Sequence, residues 1–305
     1  MRYYRVMNFA DRLVEASRLK DSVVVLGIDP QLDAPGAPGI PLGYTLTRFC
    51  CEIVEACARS AVAVKPQLAF YEARGIDGMR AFCEVVKTAR RLGLITIADA
   101  KRGDIGTTSA AYAEAFLGDG DFNCDAVTVN PYQGSDALMP FIAKVKNGRG
   151  IFVLVKTSNP SSGEFQDRNA PDRPIWESVA ARVTGWGGDF VGDSGLSSIG
   201  AVVGATYPVQ ARRARELMPA ATILVPGYDT QGGTARDAVA SARADGTGFI
   251  VNASRSLMYA YKKKDGADPI QAAAEYAEAM RLALKAELAT RRTAILTQTA
   301  QARAE

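Results

Sequence analysis

The chain has 305 residues and a formal net charge of only +3, with hydrophobic residues at 48% and charged residues at 23%. Such a length fits one large α/β domain or two small ones, and the apolar content fills a sizeable core. The small net charge, without a dense Lys/Arg run carrying interleaved aromatics, argues against a nucleic-acid partner, and the absence of histidine leaves acid–base chemistry to Lys, Asp, Glu, Tyr or Cys.

In chain order, a helical pattern over 9–19 precedes the first apolar run, 23–28. Further β-rich runs follow at 61–64, 94–98, 126–129, 151–155, 199–203, 222–225 and 249–251. Helical patterns separate them at 46–60, 79–92, 109–117, 136–146, 175–186, 209–218 and 235–244. Continuous apolar strands alternating with helices imply a parallel sheet covered on its outer face. Eight such units predict a closed (β/α)8 TIM barrel, with a doubly wound open sheet as the competing architecture. The helix before the first strand would cap the barrel's bottom.

The last helix, 269–290, opens with Asp268-Pro269, an N-cap followed by proline at the first helical position. It forms a C-terminal helical extension, and the polar tail from about 291 is expected to fray. The whole chain, 1–305, reads as a single barrel domain. Two long connections, 30–44 and 157–174, follow strands and are candidate lids.

No apolar stretch reaches membrane-spanning length, and the first residues lack the apolar core of a signal peptide. Five cysteines without a Cys-x-x-Cys pair read as reduced thiols in a cytoplasmic protein. With no histidine and no paired cysteine, zinc has no ligand set, whereas oxygen ligands for magnesium stay open.

The strand ends carry residues that core stability does not require: Asp29, Lys65, Asp99 with Lys101, Asn130, Lys156 and Arg255. Taken singly, Asp104 reads as a helix cap ahead of Thr107 and Thr108, and Lys65 as a solvated rim lysine. Together, Lys65, Asp99, Lys101 and Asp104 form an array of alternating sign, able to neutralise itself in a partly dry pocket and to hold a lysine ready to donate a proton. Asp99 and Lys101, two apart on a strand, would point to one side. Gln231-Gly232-Gly233 offers uncovered backbone amides, Thr234 opens a helix, and Arg255 follows the eighth strand; this combination reads as a phosphate site.

At these residues the sequence resembles the orotidine 5′-phosphate decarboxylases, in their longer bacterial subgroup. The resemblance runs from the first strand to the last helix. It rests on the Asp-x-Lys-x-x-Asp signature at Asp99, Lys101 and Asp104, followed by Ile105. Lys65, Ser158-Asn159-Pro160, Pro226-Gly227 to Gln231-Gly232-Gly233 and Arg255 occur in the expected order. It implies cofactor- and metal-independent conversion of orotidine 5′-monophosphate to uridine 5′-monophosphate and carbon dioxide. Lys101 would protonate C6, and Lys65 would join the network and reach the sugar. Asp29 would contact the ribose, and Ser158, with Thr157 adjoining it, the pyrimidine. Pro226, Gln231, Gly232, Gly233 and Arg255 would serve the base and phosphate. Asp104, Ile105 and Thr108 would reach into a partner subunit's site, implying a homodimer.

Three other readings remain at this point. A magnesium-dependent sugar-phosphate lyase shares the signature but needs an acidic ligand where Lys65 stands, and an ammonium cannot ligate magnesium. A Schiff-base aldolase could use Lys65, Lys101 or Lys156. A silent phosphate-ligand binding protein would keep the fold without the activity.

Overall fold

The structure, a computed structural model, describes residues 7–32, 39–229 and 232–302. Each apolar run becomes a strand: β1 (Val24–Ile28), β2 (Ala63–Pro66), β3 (Ile95–Arg102), β4 (Ala126–Val129), β5 (Gly150–Lys156), β6 (Ser197–Val203), β7 (Ala221–Val225) and β8 (Phe249–Ala253). All neighbouring pairs are parallel, and β8 pairs with β1 to close the barrel. The doubly wound alternative is thereby set aside. The strands read as unbroken apolar runs because both faces are buried. Val25, Ile97, Phe152, Val202, Leu224 and Ile250 fill the interior, while Val24, Leu26, Val127 and Val153 pack outward.

The helices are α1 (Phe9–Lys20), α2 (Leu46–Cys57), α3 (Leu68–Glu72), α4 (Gly75–Arg91), α5 (Gly106–Leu117) and α6 (Ser135–Val145). They continue as α7 (Gly163–Gln166), α8 (Ile175–Gly187), α9 (Pro208–Leu217), α10 (Ala235–Ala238), α11 (Arg255–Met258) and α12 (Pro269–Ala302). As expected, α1 plugs the bottom: Phe9 and Leu13 join the interior cluster, and the Phe9 ring meets Phe152 edge-on at 5.9 Å.

Two helical patterns end differently from expectation. The 235–244 pattern gives only the single turn of α10, continued as a 3-10 turn over Val239–Ser241, because Ala242 is extended and stops the helix. At the other extreme α12 runs past residue 291 to Ala302. No glycine or proline interrupts that stretch, and Arg291 donates to the Ala242 carbonyl at 2.9 Å. Its start is capped as read, with Asp268 Oδ1 accepting from the amides of Ile270 and Gln271. No helix among the described residues is long and apolar enough to cross a membrane.

Candidate active site

A cleft of roughly 600 Å³ opens at the C-terminal ends of the strands, lined by residues from all eight of them or the loops that follow. Its floor is ionic. Parallel pairing sets Lys65 of β2 opposite Gly27 of β1, and an isolated bridge joins Gln67 to Asp99. This register aims the Lys65 ammonium at Asp99 Oδ2, which also accepts from Gln67 Nε2 at 3.0 Å. Asp99 Oδ1 accepts from Lys101 Nζ at 2.5 Å and from Thr128 Oγ1 at 3.1 Å. Four side chains therefore hold one carboxylate, and both of its oxygens are engaged.

Lys65 and Asp99 are buried, at 3% and 6% exposure, so Lys65 is no rim lysine. Burial pushes the Asp99 carboxyl up, but the charges and hydrogen bonds of Lys65 and Lys101 outweigh burial and hold it well below the usual carboxylate range. For Lys65 burial acts downward; Asp99 and Asp29 outweigh it and raise the ammonium's pKa. Lys101 and Asp99 meet on one side as the sequence suggests, but through a different backbone. Lys101 sits at φ +48°, in the left-handed region, and the β3–β4 register breaks between Ala98 and Arg102. The Lys101 amide donates to Thr128 Oγ1 at 3.0 Å, fixing this kink.

Asp29 lies half-buried beside this network. Burial raises its pKa first, Lys65 opposes that, and the Asp99 charge adds to it. Asp29 Oδ1 and Asn252 Oδ1 are buried acceptors in the cleft with no hydrogen-bond partner among the described residues. Two orphaned acceptors suit a ligand that brings hydroxyl donors. The turn after β8 comes this close because Gly27 has no side chain: a Cβ there would stand 1.9 Å from Ser254 Oγ.

Thr157, Ser158 and Asn159 line the cleft after β5. The Thr157 hydroxyl donates to Asn159 Oδ1 and accepts from Gln166 Nε2, which leaves Ser158 as the hydroxyl outside that local network. Gly204 makes room for it, since a Cβ there would lie 2.7 Å from Ser158 Cβ. Lys156 does not face the cleft. It is fully buried, bonds both Asp167 oxygens at 2.8 Å, and lies 4.6 Å from the centre of the Tyr207 ring. It anchors the loop and is not positioned for the Schiff-base reading.

Three expectations need correction within the single chain. Asp104 leaves the ionic array: after Arg102 pairs with Val129 the chain turns outward, and the half-buried Asp104 accepts the Ile105 amide at 2.7 Å. Ile105 and Thr108 are exposed, and none of the three lines the cleft. Gly232 and Gly233 do not present free amides, because Gly232 donates to the Asp229 carbonyl at 2.8 Å and Gly233 to that of Gly227 at 3.2 Å. The start of α10 is closed by its own capping box, Thr234 with Asp237, whose carboxylate occupies the place an anion would take. Gln231 lies outside the described residues. Pro226, Gly227 and Tyr228 do line the cleft, as does Arg255, an exposed guanidinium without an ion-pair partner among the described residues.

Sequence reasoning missed Gln67 and Thr128, and placed Asn252 at the end of the eighth strand without a role. The signal for Gln67 was its spacing of two from Lys65, and for Thr128 its polarity inside an apolar strand. Among the described residues no group of three or more His, Cys, Asp or Glu could hold a metal ion.

A (β/α)8 barrel whose cleft joins a lysine–carboxylate network to an unpaired arginine defines a class of enzymes that perform proton chemistry on anionic substrates. The family is particular: residues 23–283 match the model of the orotidine 5′-phosphate decarboxylase / HUMPS family, and the chain belongs to it. Over 277 residues it is 42% identical to an orotidine 5′-phosphate decarboxylase of Rhodopirellula baltica, covering 85% of this chain and 91% of that relative. One from Deinococcus radiodurans is 42% identical over 254 residues, covering 83% and 89%. Among solved structures, OMP decarboxylase of Leishmania donovani aligns with a TM-score of 0.72 at 34% identity, over 91% of this chain and all of that one.

Proposed function

We propose a division of labour for the decarboxylation of orotidine 5′-monophosphate to uridine 5′-monophosphate and carbon dioxide by this carboxy-lyase. The Asp99 anion stands near the departing carboxylate, and their repulsion is relieved as carbon dioxide leaves. The electron pair of the broken bond stays on C6. The Lys101 ammonium stabilises that charge and then delivers its proton to C6, leaving an amine that solvent reprotonates. Lys65 keeps Asp99 ionised. Asp29 and Asn252 accept the ribose hydroxyls, and Ser158 meets the pyrimidine.

The phosphate lies between Arg255 and the loop after β7, and Gln231 completes the grip. Its binding energy, remote from C6, drives closure of the loops after β5 and β7. Asp104, Ile105 and Thr108 serve the site of a partner subunit in a homodimer. Ile105 at 57% and Tyr132 at 88% exposure support this, as apolar residues on adjoining loops of the same rim. The free thiols fit a cytoplasmic compartment.

The observation that carries the reading is the Asp99 carboxylate gripped from opposite oxygens by Lys65 and Lys101. Its test is turnover of orotidine 5′-monophosphate in heavy water with EDTA present. The reading expects undiminished turnover and deuterium at C6 of the product. Turnover lost to the chelator would contradict it, and would return the magnesium-dependent reading.

A further inference from the structure

The C-terminal helix touches both halves of the phosphate region through one side chain. Tyr276 of α12 donates its phenolic proton to Asp229 Oδ2 at 2.7 Å. Its oxygen also lies 2.9 Å from Ser256 Oγ, the residue after Arg255. A phenol has one proton, so with that proton on the carboxylate the Ser256 hydroxyl is the donor to Tyr276. Ser256 is buried, and Lys263 Nζ stands 3.4 Å from the same Asp229 oxygen.

Asp229 itself is unusual. Its φ is +60°, a left-handed conformation that an L-residue holds only under constraint. The constraint is local and complete: its amide donates to the Gly233 carbonyl at 2.8 Å, and its carbonyl accepts from Gly232 at 2.8 Å. Asp229 is therefore the neck of the β7 loop, and its side chain is the handle by which α12 holds that neck. None of Tyr276, Asp229 and Ser256 lines the cleft.

We propose that Tyr276 is a positioning residue for the substrate phosphate: through Asp229 and Ser256 it fixes the β7 loop relative to the Arg255 turn before substrate arrives. The proposal rests on the reading that the phosphate binds between those two elements. Preset anchors remove an ordering cost from phosphate binding. The base and ribose contacts, Ser158, Asp29 and Asn252, lie outside the β7 loop and the Arg255 turn and gain nothing from this device.

The test compares inhibition by uridine 5′-monophosphate and by uridine, which lacks the phosphate, in Tyr276→Phe, Asp229→Gly and Asp229→Asn. Glycine suits the positive φ, so Asp229→Gly keeps the turn while removing the handle. Tyr276→Phe and Asp229→Gly should each weaken the nucleotide about fivefold, the worth of one hydrogen bond, and leave uridine unchanged. The double variant should be no worse than Tyr276→Phe alone, because that substitution already removes the contact to Asp229. The side-chain amide introduced by Asp229→Asn still accepts from the phenol, so this variant should retain most of the affinity. Equal weakening of nucleotide and nucleoside, or no change in either, would overturn the proposal. Arg255→Ala separates the two levels. If it weakens the nucleotide selectively while Tyr276→Phe does not, only the positioning role fails; if it too leaves the difference between the ligands intact, the phosphate reading itself fails.

Discussion

Lys101 reaches the carboxylate of Asp99, two residues before it, from a left-handed backbone: φ is +48° and Nζ lies 2.5 Å from Oδ1. An extended lysine would have continued the strand past its neighbour. The kink instead turns the ammonium back over the floor of the cleft, where its side chain stays 42% exposed while that of Asp99 is at 8%. Such a conformation costs about 1–2 kcal/mol, so its surroundings must hold it.

Thr128 is the residue that holds it. Its hydroxyl oxygen accepts the Lys101 amide and lies 3.1 Å from Asp99 Oδ1. Replacing it with valine keeps the shape and removes both contacts. Thr128→Val should lose about 1–3 kcal/mol of stability and reduce kcat about tenfold, with Thr128→Ser restoring most of both. Urea denaturation and steady-state kinetics measure the pair. Stability lost with kcat intact would show that the kink is not needed for chemistry.

The ionisation of Asp99 predicts a stability profile. Its carboxyl is held below the ordinary value of 3.8, since the two ammonium groups outweigh the upward push of burial. A depressed carboxyl stabilises the fold above its unfolded pKa and loses that contribution as pH falls toward the folded one. The advantage of the wild type over Asp99→Asn, about 3 kcal/mol near neutrality for a broken buried pair, should therefore shrink below about pH 4. Urea midpoints taken along that range test it. A gap that stays constant on acidification would contradict the assignment.

The outward turn of Asp104 makes the proposed shared site testable by mixing. Lys101→Ala and Asp104→Ala homodimers should both be inactive. After subunit exchange each mixed dimer regains one intact site, so an equimolar mixture should recover about a quarter of wild-type activity. Exchange demonstrated by mass spectrometry without recovery would remove Asp104 from the partner's site.

The barrel was legible because buried parallel strands must be apolar on both faces, and each such run kept its place. Lys65, Asp99 and Arg255 were legible as charges at strand ends, where a core has no use for them. Other features depended on torsions and distant partners that no local pattern encodes. The kink at Lys101 depends on a threonine 27 residues away. Lys156 turns from the cleft because Asp167 and Tyr207 receive it elsewhere. The glycines after β7 looked like an open amide cradle, yet the loop's own carbonyls take those amides. The 235–244 pattern continued helically in sequence, but the extended backbone at Ala242 ended it.

Removal of the Lys101 ammonium is the most direct measurement. Turnover of orotidine 5′-monophosphate by Lys101→Ala, followed by ultraviolet absorbance, should fall by at least about a thousandfold. Thermal stability and binding of uridine 5′-monophosphate, measured on the same sample, should show a folded protein with its cleft formed. A folded Lys101→Ala variant that turns over within about tenfold of the wild type would mean that the proton reaches C6 from another group.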